Sequence, residues 1–206
     1  MAAILAADVA GYSRLMGIDE EGTLARLKAH RRELVDGKIR EHRGHIVKTT
    51  GNGMLVEFVS PVEAVHCAVE VQRCMADRNA DTPHERRIAF RMGISLGDVI
   101  ADGGDLFGDG VNVAARLENV SEPGGVCLSR SVHDQVCDRL PYRFEDAGEH
   151  PLKNIARPVR MFALSAGAVA TLANVEPPPS PTHLNRIGVT AICAMAACVM
   201  AVAGAG

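Results

Sequence analysis

Residues 45–59 read HIVKTTGNGMLVEFV, a pattern typical of two short strands joined by a tight turn. The runs 45–50 and 54–59 are rich in β-forming residues. Asn52-Gly53 lies between them, and this pair favours a type I′ turn because both central residues of that turn need positive φ. The stretch therefore predicts an antiparallel hairpin.

The segments on either side of this hairpin predict helices. Residues 20–40 carry apolar side chains on one helical stripe, and Pro61 opens a second segment with apolar residues at helical spacing. Apolar strands at 3–9 and 88–94 complete a β-α-β-β-α-β order. This order predicts a ferredoxin-like α+β sandwich, with an antiparallel-containing sheet and helices on one face. Further strands are predicted at 98–101, 126–129, 142–146 and 159–164, and further helices at 111–119 and 130–139.

The composition predicts three parts of the chain. Residues 1–168 form the domain, and 169–186 contain the linker sequence EPPPSP, which fits neither helix nor central strand. Residues 187–206 are 20 residues without charge, long enough for a transmembrane helix. Half of them are Ala or Gly, so a buried or disordered tail is the alternative. Basic residues on the domain side predict a cytoplasmic domain anchored to the inner membrane.

The charge balance and the cysteines restrict the class of protein. Lys and Arg number 22 against 25 Asp and Glu, so no nucleic-acid partner is expected. The six cysteines show no C-x-x-C spacing, and no secretory signal precedes the first strand. Reduced thiols in a cytosolic domain are the simplest interpretation.

A carboxylate stands at the end of the first predicted strand. Asp8 is followed by a loop of mostly small residues, namely Val9, Ala10, Gly11, Tyr12 and Ser13. Such a loop can present backbone N–H groups to phosphates while the carboxylate holds a divalent cation. An Asp in this position is also common as a turn residue or helix cap.

Two further motifs carry polar groups. Lys48 lies in the strand before the turn, and residues 105–116, DLFGDGVNVAAR, form a glycine-punctuated loop that runs into a helix. Asn112 and Arg116 are four residues apart, so they share a helix face and can address one oxyanion together. A plain helix entry is the alternative for this motif.

Together the three motifs, beginning with AADVAGYSRLM at 6–16, resemble the catalytic domain of class III adenylate and guanylate cyclases over about residues 1–165. The resemblance implies a lyase of intracellular signalling that converts ATP to 3′,5′-cyclic AMP and pyrophosphate. It implies two Mg²⁺ or Mn²⁺ ions, and a site at the interface of a homodimer or of a heterodimer with another cyclase domain. A diguanylate cyclase is disfavoured because no G-G-D/E-E-F motif is present.

The resemblance also implies a role for each residue. Asp8 and the Val9 carbonyl would bind metal, and the loop through Ser13 would wrap the triphosphate. From the other subunit, Lys48 and Asp105 would select adenine, because guanine has a carbonyl where adenine has an amine. Asn112 and Arg116 would orient the ribose and stabilise the α-phosphate, and Lys153 would bind the terminal phosphates.

One position departs from the family pattern. The second metal-binding aspartate falls on Asn52, whose amide lacks the formal charge that hard cations favour. Reduced cyclase activity is one interpretation. The alternative is a catalytically impaired module for nucleotide binding and dimerisation, in which Asn52 serves only the turn.

Overall fold

A computed structural model of the chain describes residues 1–103, 105–153, 155 and 157–172. The described strands, numbered along the chain, are β1 Ala2–Val9, β2 His45–Thr50, β3 Gly53–Phe58, β4 Phe90–Gly97, β5 Ile100–Asp102, β6 Asp105–Phe107, β7 Val126–Ser129, β8 Glu145–His150 and β9 Val159–Leu164.

The helices fill the connections between these strands. They are α1 Tyr12–Ile18, α2 Glu20–His30, α3 Asp36–Glu41, α4 Pro61–Asn79, α5 Asp109–Val120, α6 Arg130–Val136 and α7 Ala166–Thr171. A π-helical turn, Arg31–Val35, joins α2 to α3, so the predicted helix at 20–40 is confirmed. Helix α4 begins as its sequence indicates, because the Ser60 hydroxyl accepts a hydrogen bond from the Glu63 N–H and Pro61 lies in the first turn.

Seven strands form one sheet in the order β2-β3-β1-β4-β7-β9-β8. All neighbours are antiparallel except β4 and β7, which are parallel. Strands β5 and β6 pair separately as a short hairpin. This arrangement confirms the predicted ferredoxin-like α+β class.

The helices lie on both faces of this sheet rather than on one. Along β1, Ala3, Leu5 and Ala7 point into the core that contains residues of α2, α3 and α4. Ile4 and Ala6 point the opposite way, into a core with residues of α5. Both faces of β1 are therefore buried, which explains its nearly continuous apolar sequence.

The hairpin of β2 and β3 is confirmed, but the predicted turn type is wrong. Thr50 pairs with Gly53, so the central residues of the turn are Gly51 and Asn52. Gly51 has φ of 55°, and among the described non-glycine residues only Arg43 has positive φ. Gly51 adopts this conformation without steric cost, which shifts the turn one residue towards the N-terminus. The backbone of the turn therefore does not require Asn at position 52.

The domain boundary predicted at residue 168 stays a prediction. Helix α7, Ala166–Thr171, crosses this position. The rest of the predicted linker at 169–186, and the predicted transmembrane helix at 187–206, lie outside the described residues. Within the described part, no helix has the length and apolar character that a membrane span needs.

Candidate active site

A cleft of about 310 Å³ opens where β1 ends, between the β2–β3 hairpin and α5. Asp8 lies in it. Lys48 of the same chain lies in it as well, whereas the resemblance implies that Lys48 acts from the other subunit. The remaining lining residues come from β1, the hairpin, β6 and α5: Ala6, Ala7, Thr50, Gly53, Met54, Leu55, Leu106, Phe107, Val111, Ala115 and Glu118. The cleft thus combines apolar walls with a few charged groups, as small-molecule sites do.

Asp8 has a partner on each carboxylate oxygen. The Asn52 side-chain amide donates to Oδ1, and Arg91 Nη2 lies 3.1 Å from Oδ2. Gly53 permits the hairpin to approach, because a Cβ there would lie 3.3 Å from the Ala7 carbonyl oxygen. The structure therefore brings Asn52 to Asp8, as the sequence predicted, but in this structure its amide acts as a hydrogen-bond donor.

Arg91 and Glu118 were not predicted from the sequence. Arg91 Nη2 also lies 3.3 Å from Oε1 of Glu118, a buried residue of α5. Burial, together with the Asp8 carboxylate, raises the pKa of Glu118 to about 7, although Arg91 acts in the opposite direction. Two carboxylates that line the cleft therefore share one guanidinium.

Glu118→Gln is expected to flatten the pH dependence of stability. Folding raises the pKa of Glu118 from 4.5 to about 7, so between these values the folded chain binds more protons than the unfolded chain. The free energy of unfolding of the parent should therefore fall as pH rises through this window. Relative to the parent, Glu118→Gln should gain up to about 3 kcal/mol between pH 5 and pH 8.

Urea unfolding at pH 5 and pH 8 measures this difference. Glu145→Gln, at an exposed position of β8, is the matched control and should follow the parent at both pH values. The same pH dependence in the parent and in Glu118→Gln would contradict the shift.

The loop after β1 turns sharply into α1. Gly11 has φ of 64°, and its carbonyl accepts from the N–H groups of Arg14 at 3.0 Å and Leu15 at 3.1 Å. The Ala10 N–H donates to the Ala89 carbonyl at 2.9 Å, so in this conformation it is engaged within the protein. Of the remaining predicted phosphate-binding residues, Val9 is buried, Tyr12 is partly buried and Ser13 is exposed.

The residues predicted to bind ribose and phosphates form a second group. Arg116 Nε donates to the Lys153 carbonyl at 3.1 Å, and Asn112 is exposed four residues earlier on α5. Neither Asn112 nor Arg116 is among the described residues that line the cleft beside Asp8. Asp105 begins β6, but its side chain lies outside the described part. The chain thus presents two separate groups of predicted site residues.

A carboxylate at the end of β1, in a cleft of a ferredoxin-like sheet, is the arrangement that the resemblance to nucleotide cyclases leads us to expect. The model of the family "Adenylate and Guanylate cyclase catalytic domain" matches residues 1–166. The chain belongs to this family.

Two relatives are similar over most of the chain. "Putative adenylate cyclase 3" of Rhizobium meliloti is 47% identical over 183 residues, 87% of this chain and 31% of that protein. A crystal structure from Silicibacter pomeroyi, described as an adenylate/guanylate cyclase/hydrolase, is 51% identical with a TM-score of 0.76 and covers 80% of this chain and 95% of that one.

More distant relatives extend the likeness. The pH-sensitive adenylate cyclase MT1302 of Mycobacterium tuberculosis is 27% identical over 80% of this chain and 41% of that protein. The adenylyl cyclase CyaB of P. aeruginosa shares the fold at 22% identity, with a TM-score of 0.67 over 79% of this chain and 92% of that chain. The chain spans less than half the length of the two curated relatives.

Proposed function

We propose that this domain converts ATP to 3′,5′-cyclic AMP and pyrophosphate at a site completed by a second cyclase domain. The observation that carries the proposal is the position of Asp8 at the end of β1, in the cleft and beside Asn52. Membership of the cyclase family and the name of the Rhizobium meliloti relative support adenylate cyclase chemistry.

The donors beside Asp8 fit a divalent cation. The Asp8 carboxylate, the Val9 carbonyl and the Asn52 amide oxygen are the oxygen donors that Mg²⁺ and Mn²⁺ prefer. Asn52 would have to turn its amide oxygen, rather than its nitrogen, towards the ion. When bound, the cation would favour the alkoxide form of the ribose 3′-hydroxyl and offset charge on the phosphates.

Among the side chains that the structure describes, Asp8 supplies the one carboxylate of this donor set, and Arg91 lies between it and Glu118. The second ion of the predicted pair would therefore depend chiefly on oxygens of the triphosphate. Mg²⁺ is commonly held in this way, by few protein carboxylates together with substrate phosphates.

The other residues bind and orient the substrate. Lys48 and Asp105 would pair with the adenine ring and its amino group, which is the basis for ATP over GTP. The Arg116 guanidinium, held beside Lys153 by its Nε hydrogen bond, would bind the α-phosphate. Because Asn112 and Arg116 do not line the cleft of Asp8, a site shared between two subunits accounts for both groups.

A silent nucleotide-binding module is the second candidate. It is favoured by Asn52, which removes one negative charge from the metal site and instead donates to Asp8. Such a module would bind ATP with a divalent cation and release no cyclic AMP.

A cyclase assay on the full chain, with ATP or GTP in Mg²⁺ or Mn²⁺, tests the proposal. We expect the parent to form cyclic AMP from ATP. Asp8→Ala and Arg116→Ala should each lower the rate about 100-fold or more, since each removes a charged contact to the reacting groups. An equal mixture of these two inactive variants should recover about a quarter of the parental rate. Half of randomly formed dimers are mixed, and each mixed dimer has one complete site of two.

The outcomes separate the candidates. No recovery on mixing, despite subunit exchange, would contradict the shared site. ATP binding without turnover in the parent would favour the silent module. Cyclic GMP as the main product would overturn the roles of Lys48 and Asp105.

A further inference from the structure

A buried group of two histidines and a glutamate lies away from the cleft. His42 follows α3 directly, and His66 and Glu70 are four residues apart on α4. One nitrogen or oxygen from each of the three lies within 4.8 Å of the others. All three residues are buried, and none is among the described residues that line the cleft of Asp8. We call these residues the His42 cluster.

The spacing of the His42 cluster suits a tetrahedral metal better than direct hydrogen bonds. His42 Nε2 lies 3.4 Å from Glu70 Oε2, and His66 Nδ1 lies 3.5 Å from Glu70 Oε1. Zinc bonds of about 2.0–2.1 Å in a tetrahedron put neighbouring ligand atoms roughly 3.3–3.4 Å apart. The two imidazoles lie near different oxygens of Glu70, so one ion would need a small turn of this carboxylate to bring a single oxygen towards both. Within the described part of the chain, His42 Nε2 and both ring nitrogens of His66 have no hydrogen-bond partner. Such buried polar atoms are costly unless a ligand satisfies them.

The surroundings orient the cluster for a cation. His42 Nδ1 lies 2.9 Å from Glu63 Oε2, so a neutral His42 that donates its Nδ1 proton to this carboxylate would present its Nε2 lone pair to an ion beside Glu70. A carboxylate behind a ligating histidine is the usual support of a zinc ligand. Lys38 Nζ lies 2.8 Å from Glu70 Oε2 and holds that carboxylate in place. Glu70 Oε1 is the oxygen nearer His66.

We propose that His42, His66 and Glu70 bind a divalent transition metal, with Zn²⁺ as the best match to two imidazoles and a carboxylate. A water molecule would complete the tetrahedron. The ion would link the end of α3 to α4. This site is separate from the Asp8 cleft and does not depend on the proposed cyclase activity.

Zinc binding to the full, chelator-treated chain tests the proposal, by competition with a chromophoric chelator and by thermal unfolding with and without Zn²⁺. The parent should bind one tight Zn²⁺ and gain thermal stability. His66→Leu should weaken binding at least about 100-fold and abolish the gain. Glu63→Gln should weaken binding about 10- to 100-fold, because it removes only the support behind His42. His45→Ala, at an exposed position of β2, is the matched control and should bind as the parent does.

Co²⁺ serves as a spectroscopic probe of the same site. Strong visible bands without a thiolate charge-transfer band are expected in the parent and should be lost in His66→Leu. Glu63 keeps a partly exposed side chain, so Glu63→Gln should fold even if His66→Leu does not. Absence of one-to-one zinc binding by the parent would overturn the proposal. So would unchanged affinity in Glu63→Gln, or a thiolate spectrum with Co²⁺.

Discussion

Asn52→Asp is expected to raise the rate of cyclic AMP formation at least about 10-fold. The change puts a second carboxylate where the Asn52 amide now contacts Asp8. Two carboxylates bind hard divalent cations more tightly than a carboxylate and an amide, and the proposed reaction depends on such cations. The rate should be measured with ATP in Mg²⁺ and in Mn²⁺, because a weakened site responds most to the supply of metal.

The same substitution should change stability in opposite directions with and without the ion. In the presence of a chelator, Asn52→Asp loses the hydrogen bond donated to Asp8 and places two negative charges together. A loss of about 1–3 kcal/mol in the free energy of unfolding is expected. With millimolar Mn²⁺ the order should reverse, since the ion binds the folded variant more tightly than the parent.

Asn52→Ser is the matched control for both measurements. It shortens the side chain without adding charge, so it should not gain activity and should not reverse its stability order with Mn²⁺. If Asn52→Asp behaves as Asn52→Ser does, the position is not a metal ligand. If the parent is already as active as Asn52→Asp, an amide oxygen is sufficient there.

The predicted elements that the structure confirms are those with a local physical signal. The hairpin of β2 and β3, the helix at 20–40 and helix α4 follow from turn chemistry and helical periodicity. Helix α1 and strand β6 were not predicted. Helix α1 is seven residues long with Gly17 inside it, and β6 is three residues long within a glycine-rich stretch. Such short segments carry too few residues for a period to be visible.

The sequence of β1 itself indicates that a helix also covers its second face. Residues 2–7 of β1 are all apolar, without the alternation of a strand that is exposed on one side. A continuous apolar run indicates burial on both faces, and therefore a helix on each. Which helix covers which face depends on contacts distant in sequence, and periodicity does not contain that information.

The candidate site likewise combines one contact that the sequence indicates with others that arise only from the packing of distant elements. The family resemblance implied that Asp8 and Asn52 act together, and the structure places them in contact. Arg91 and Glu118 come from β4 and α5, and each looks like an ordinary charge in its own segment. Their link to Asp8 arises only when the two elements pack together.

Gly93→Ala is expected to destabilise the fold strongly. A Cβ at Gly93 would lie 2.2 Å from the Glu118 amide nitrogen and 2.4 Å from the Ala114 carbonyl oxygen. Both atoms are backbone of α5, so no side-chain rotation relieves the overlap. The helix would have to move off β4, which should cost at least about 3 kcal/mol in the free energy of unfolding.

Gly37→Ala is the matched control because it adds the same methyl group. Gly37 lies in α3, and a Cβ there would meet no heavy atom within 4 Å. This variant should gain about 0.5–1 kcal/mol, since Ala loses less backbone entropy than Gly on entering a helix. Urea unfolding of both variants measures the contrast, and similar free energies would contradict the close approach of α5 to β4. Because α5 carries Asn112, Arg116 and Glu118, any folded fraction of Gly93→Ala should also have lost nucleotide turnover, whereas Gly37→Ala should retain the parental rate.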